Sequence, residues 1–157
     1  MKKANSLKAI EKVLQNDPST RERFLGPDER SLAAILRADD EAVQRHGLTH
    51  ARIAQRLLAL RQAGWEGLGE PVSVPPHFEV CVDTARGKLP CPFGDPGSFA
   101  KVNTTVRNLK RGTEITFTDL NIHLIAAHEF YEGRGAPFRL DPEQVIDTLE
   151  MGKAVKK

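Results

Sequence analysis

The apolar residues of this chain recur at two different periods, and the change falls between Gly67 and Pro76, where two glycines and three prolines crowd into ten residues. Before it the spacing is helical; after it the spacing alternates. Ser6 stands ahead of Leu7, Ile10, Val13 and Leu14, a helix that Asp17-Pro18 ends, and Gly26-Pro27 closes a short second turn. Leu32, Ile35 and Leu36 mark a helix expected to stop near Asp39-Asp40, where a short one follows as far as Gly47. Thr49 is an N-cap for a helix from His50 to Ala63 with Ile53, Leu57 and Leu60 inward, closed by Gly64. The phrase L-T-H-A-R-I-A-Q-R-L is like the first helix of a helix-turn-helix DNA reader, but Leu57-Leu58-Ala59-Leu60 continues the helix where the turn should come.

Past Pro76, Phe78, Val80 and Val82 alternate with His77, Glu79, Cys81 and Asp83, as a half-buried strand requires. A turn at Ala85-Arg86-Gly87 would return the chain through Lys88 to Phe93, and strands at 99–108 and 114–117 follow. Next comes a helix from Thr118 to Glu132, then a short fifth strand at 137–140, and Asp141-Pro142 opens a last helix burying Val145, Ile146 and Leu149. The expected fold is α+β: a helical subdomain over 1–66, a linker over 67–76, and an α+β domain over 77–151. In that domain a four-stranded antiparallel sheet packs on a buried helix, and a basic tail covers 152–157.

A chain of 157 residues with 39% hydrophobic and 28% charged content has the makings of a substantial core rather than of a disordered segment. No apolar run approaches the roughly 20 residues that span a bilayer. Lys8, Glu11 and Lys12 interrupt what would be the apolar part of an export signal after Lys2-Lys3. The expectation is a cytoplasmic protein with no membrane partner, its two cysteines reduced.

The chemistry-bearing residues concentrate in T-D-L-N-I-H-L-I-A-A-H-E-F-Y-E-G-R-G, from Thr118 to Gly135. On one helix Asn121, His128 and Glu132 align at spacings of seven and four, so His128 could pair with Glu132 as a general base in a cleft. These three are the candidate catalytic residues. Cys81 and Cys91 lie equidistant from Arg86, so a three-residue turn there would set the thiols opposite each other. With His123 and His128 they would complete a zinc site, for which zinc is the cofactor to consider. The alternative is a pair of buried thiols and a solvated helix face. Helical angles also separate His123 from His128 by about 140°. Ligand order partly resembles a zinc finger of the two-cysteine, two-histidine type, though nine residues lie between the cysteines where a finger has two to four.

A second surface is basic. Arg86, Lys88, Lys101, Arg107, Lys110 and Arg111 face a single acid, Asp95, between Ala85 and Gly112, an arrangement that could track a phosphate backbone. Charged strand edges and turns have the same composition.

The stretch from His123 to Pro142, H-L-I-A-A-H-E-F-Y-E-G-R-G-A-P-F-R-L-D-P, resembles a segment of uncharacterised bacterial proteins with the pattern H-L-I-x-x-H-x-F-[FY]-E-G-x-G-x-x-[FY]-R-L-x-P. The resemblance covers mainly the C-terminal half and implies no activity. No complete nucleophilic triad or metal-hydrolase motif is present. The leading expectation is a binding or interaction protein with a nucleic-acid or protein partner, and its competitor is a metal-binding domain or small enzyme using His128 and Glu132.

Overall fold

The computed structural model describes residues 2–152, with side chains from Leu7 onward; the lysines of the expected basic tail lie outside the described residues. The fold is α+β, with N-terminal helices followed by a four-stranded antiparallel sheet. The helices are α1 (Lys2–Asn16), α2 (Pro18–Phe24), α3 (Leu32–Arg45), α4 (His50–Trp65), α5 (Asp119–His128) and α6 (Pro142–Leu149). The strands β1 (Val72–Val74), β2 (Phe78–Pro90), β3 (Ser98–Asn108) and β4 (Thr113–Thr118) pair in chain order.

Local chemistry explains most of the helix ends. Asp17, Ser31, Thr49 and Asp141 each accept a hydrogen bond from the backbone N–H three residues on, and Pro18 and Pro142 occupy first-turn positions whose missing N–H costs nothing. Ser6 does not begin α1, which starts earlier, at Lys2. Nor do Asp39 and Asp40 break α3. Asp39 is buried and held by both guanidinium nitrogens of Arg139, at 2.7 and 2.9 Å, so the helix continues through it. Gly64 lies within α4 rather than after it. A Cβ there would come within 2.5 Å of the Val80 side chain, so the missing side chain lets α4 approach the sheet.

Two departures change the sheet. The stretch expected as a linker, 67–76, contains the edge strand β1, with Val72 opposite Val80 and Val74 opposite Phe78. Residues 85–87 make no turn. β2 continues through them, with Thr84 opposite Val102 and Lys88 opposite Ala100, so three residues on β2 bulge against one, Lys101, on β3. The chain turns instead at 91–97. Residues 137–140 form no strand.

The bulge divides the interior. On one side α3, α4 and α6 share a core with the sheet through Val43, Ile53, Leu57, Leu60, Val80, Phe117 and Val145. Beyond the bulge Leu89 and Phe99, on the opposite strand parity, pack with Leu14, Phe24, Ile35, Leu120 and Leu124. Helix α5 supplies both cores, with Ile125 in the first and Leu120 and Leu124 in the second. The helix is buried where it meets these cores, through Leu120, Asn121, Leu124 and Ile125, while Ala126 and Ala127 are exposed. Among the described residues no helix is long and apolar enough to cross a membrane.

Candidate metal centre

Thr118 and Asn121 start α5 with reciprocal bonds. The Thr118 Oγ1 accepts from the Asn121 N–H at 3.0 Å, and the Asn121 Oδ1 accepts from the Thr118 N–H at 2.9 Å. The helix ends at His128, a turn before the expected Glu132. Glu129 takes the left-handed conformation (φ 58°), and the N–H groups of Glu129 and Phe130 bond back to the carbonyls of Ile125 and Leu124. Phe130 and Tyr131 then enter the core.

This early stop leaves His128 on the last turn of α5, facing the loop that joins β2 to β3. That loop, Cys91-Pro92-Phe93-Gly94-Asp95-Pro96-Gly97, is held by a bond from the Gly94 N–H to the Cys91 carbonyl, with Gly94 and Gly97 at φ 93° and 90°. Asp95 projects between the two histidines. Its Oδ2 lies 2.8 Å from the Nε2 of His123 and 2.8 Å from the Nε2 of His128. The Cys91 Sγ is 3.6 Å from the His128 Nε2 and 3.8 Å from the Asp95 Oδ2, and it also accepts the Phe93 N–H at 3.4 Å. One donor atom from each of Cys91, Asp95, His123 and His128 lies within 4.8 Å of all the others.

Aromatic rings fix the imidazoles. Phe93 stacks on His128 with centroids 4.1 Å apart, and Phe99 lies against His123 at 4.7 Å. Hydrogen bonds from His128, and then from His123, hold the Asp95 carboxyl below the usual carboxylate range, against a partial loss of hydration. Cys91 is buried, whereas the Asp95 side chain is 37% exposed, so the centre opens to solvent on its carboxylate side.

The arrangement does not fit a cysteine protease-like relay. There the thiol and the carboxylate use opposite ring nitrogens of one histidine, whereas here both address the His128 Nε2. Convergence of two Nε2 atoms, a thiol and a carboxylate oxygen on one point is the pattern of a cation's ligand shell. Bonds of about 2.0–2.3 Å to a tetrahedral zinc ion place the donors about 3.3–3.6 Å apart; the Cys91 contacts at 3.6 and 3.8 Å are near that spacing, whereas the two Asp95 contacts at 2.8 Å are hydrogen-bond distances.

The expected residues are therefore sorted in a new way. Cys91, His123 and His128 meet, despite the helical angle between the two histidines, because both long side chains reach the loop beyond the helix surface. Cys81 is not with them. With no turn at 85–87 it lies back along the same strand, opposite Thr105, whereas Pro90, next to Cys91, lies opposite Ser98; the thiols are thus about 25 Å apart at ~3.3 Å per residue along β3, and the Cys81 thiol donates to the Gly69 carbonyl at 3.3 Å. The pairing of His128 with Glu132 is also not formed. Glu132 (φ 72°) is turned inward and 3% exposed, and its Oε2 accepts from the Asn121 Nδ2 at 3.1 Å.

The basic residues do not form one surface. Arg107 pairs with Glu79 and Glu114 at 3.2 Å each, and Arg111 pairs with Asp147 and Glu150 of the C-terminal segment. Arg86 and Lys88 sit on the bulge at the other end of the sheet, where Lys101 extends over Gly87.

Asp95 is the fourth member of this cluster and was not among the candidate ligands expected from the sequence. Its signal was the spacing Cys-x3-Asp inside a turn rich in glycine and proline, ahead of His-x4-His. A second grouping, Asp40, His50 and Glu129, was also not foreseen. The His50 Nε2 lies 2.8 Å from Asp40 and 3.8 Å from Glu129, and the His50 Nδ1 is 2.9 Å from the buried Tyr131 hydroxyl. Comparisons with known protein families, curated proteins and solved structures find no match.

Proposed function

We propose that this chain is a zinc-binding protein whose metal is a structural tie rather than a reaction centre. Cys91 and Asp95 of the β2–β3 loop and His123 and His128 of α5 are its four ligands. The observation that carries the reading is the mutual approach of four donor atoms, each within 4.8 Å of the rest, from two segments about thirty residues apart. A mixed thiolate, imidazole and carboxylate set suits zinc better than magnesium or calcium, which prefer oxygen donors. Four protein ligands fill a tetrahedron and leave no position for a substrate, which favours structure over catalysis.

The ion would neutralise a cysteine thiolate and an aspartate that otherwise share one small volume with two imidazoles. Phe93 and Phe99 would hold the rings at a fixed angle, the task that outer partners perform at metal sites. Binding would add its free energy to folding, because the unfolded chain has no preformed site.

The test is metal analysis of untagged protein together with cobalt substitution. One zinc per chain is expected. The cobalt form should show the intense visible bands of tetrahedral coordination and a near-ultraviolet thiolate-to-cobalt band. Cys91→Ser should abolish the latter, and Asp95→Ala and His128→Ala should each weaken binding by more than the roughly 10–100-fold cost of losing an outer partner. Metal-free, fully folded protein that takes up no cobalt would overturn the reading.

A further inference from the structure

A cavity of about 160 Å³ lies beside the β2 bulge, between the sheet, α2 and the start of α5, and no metal ligand lines it. Phe24, Phe99, Phe138 and Leu120 form apolar walls, and Ala85 of the bulge gives one side only a methyl group. A dry apolar cavity of about 150 Å³ accepts benzene, so the size suits a single aromatic ring.

Three charged residues line this space: Arg23, Lys101 and Glu132. Among the described residues Arg23 and Lys101 make no ion pair, and both are only partly exposed. Glu132 is the opposite case. Asn121 holds one of its carboxyl oxygens, and the other, Oε1, is buried without any hydrogen-bond partner. An oxygen left unmatched in the interior is costly, and a ligand that reaches it recovers that cost. The backbone here is also specialised, since Glu132 has a positive φ and Arg139 donates to its carbonyl at 2.6 Å, which turns the side chain inward.

We propose that this cavity binds a small aromatic carboxylate, with the ring between Phe24, Phe99 and Phe138, the carboxylate at Arg23 and Lys101, and a ring hydroxyl or amino group hydrogen-bonded to the Glu132 Oε1. The two cations select an anion, and the volume selects one ring. The lone oxygen of Glu132 selects a polar substituent, because a site built around a buried polar group rejects the analogue that leaves it unmatched.

The experiment is calorimetric or saturation-transfer titration of the full chain with three probes: para-hydroxybenzoate, benzoate and para-hydroxybenzyl alcohol. Para-hydroxybenzoate should bind once per chain. Benzoate, without the hydroxyl, and the alcohol, without the carboxylate, should each bind about tenfold more weakly or worse. Ala85→Trp, at an exposed strand position, should fill the cavity and abolish binding. Arg23→Gln should remove the preference for the carboxylate, and Glu132→Met the preference for the hydroxyl, with circular dichroism unchanged. No binding of any probe at about 1 mM would overturn the proposal, as would para-hydroxybenzoate affinity indifferent to both Ala85→Trp and Arg23→Gln.

Discussion

Replacing Glu132 by Gln should remove a pH dependence that the wild-type chain carries. Burial pushes the Glu132 carboxyl up to about 8 from an ordinary 4.5, outweighing the opposing pull of Asn121, Arg23 and Arg139. An acid whose folded value is raised is favoured as the neutral form. Below about pH 4.5 it is protonated in both the folded and the unfolded chain and has no effect on their balance. From there to about pH 8 the unfolded chain has released a proton that the folded chain retains, so stability falls as pH rises, by about 1.4 kcal/mol per unit. Above about pH 8 the slope from this group vanishes. Over the full window the loss sums to about 5 kcal/mol, comparable with the whole stability of an ordinary domain. The substituted amide is neutral throughout, is nearly the same shape as the carboxyl, and can still accept from Asn121. Urea unfolding of both proteins at half-unit steps from pH 5 to 9 isolates the effect, because every other titrating group is common to the two. The stability difference should grow in favour of Glu132→Gln up to about pH 8 and then level off. Parallel curves across the window would refute the reasoning, since they would mean that Glu132 ionises in the folded chain as easily as in water.

Zinc at about a hundred times its dissociation constant should stabilise the fold by about 2.7 kcal/mol and raise the thermal midpoint by roughly 5–10 °C, read by scanning calorimetry with and without a chelator. Cys81→Ser should leave zinc content unchanged and alter stability by no more than about 0.5 kcal/mol, whereas Cys91→Ser should lose the metal; equal effects would mean that the wrong thiol has been assigned. Arg139→Met should destabilise by about 3–5 kcal/mol in urea, because it strands Asp39 as a buried unpaired charge, and adding Asp39→Leu should recover much of that loss.

The parts of this structure that sequence patterns report are those determined within a few residues. The change of period at 67–76 separates helices from sheet, and Thr49, Thr118 and Asp141 announce helices through bonds made three residues away. The parts that were hidden depend on contacts distant in the chain. Ala85-Arg86-Gly87 has the composition of a turn, and only pairing with β3 shows it to be a bulge. Asp39 reads as a helix breaker until Arg139, a hundred residues on, neutralises it. Glu129 in a left-handed conformation has no glycine to signal it, so the sequence pattern runs α5 one turn too long and sets Glu132 beside His128.

These hidden features are what build the candidate centre. Had the chain turned at Arg86, Cys91 would lie beside Cys81, and the loop that carries Cys91 and Asp95 would sit at the other end of β2. The bulge keeps β2 running and delivers Cys91 to the same end of the sheet as His123 and His128. Had α5 continued to Glu132, that carboxyl would sit on the helix surface one turn beyond His128. Because the helix stops at His128, the chain reverses, and Asn121, which caps the first turn with its Oδ1, can donate from its Nδ2 to Glu132. Both polar groupings therefore depend on α5 having this length. Lengthening the helix by a stronger helix former at 129, where Glu129 has a positive φ, would act on the metal ligands and on the buried acid together, although no bond joins them.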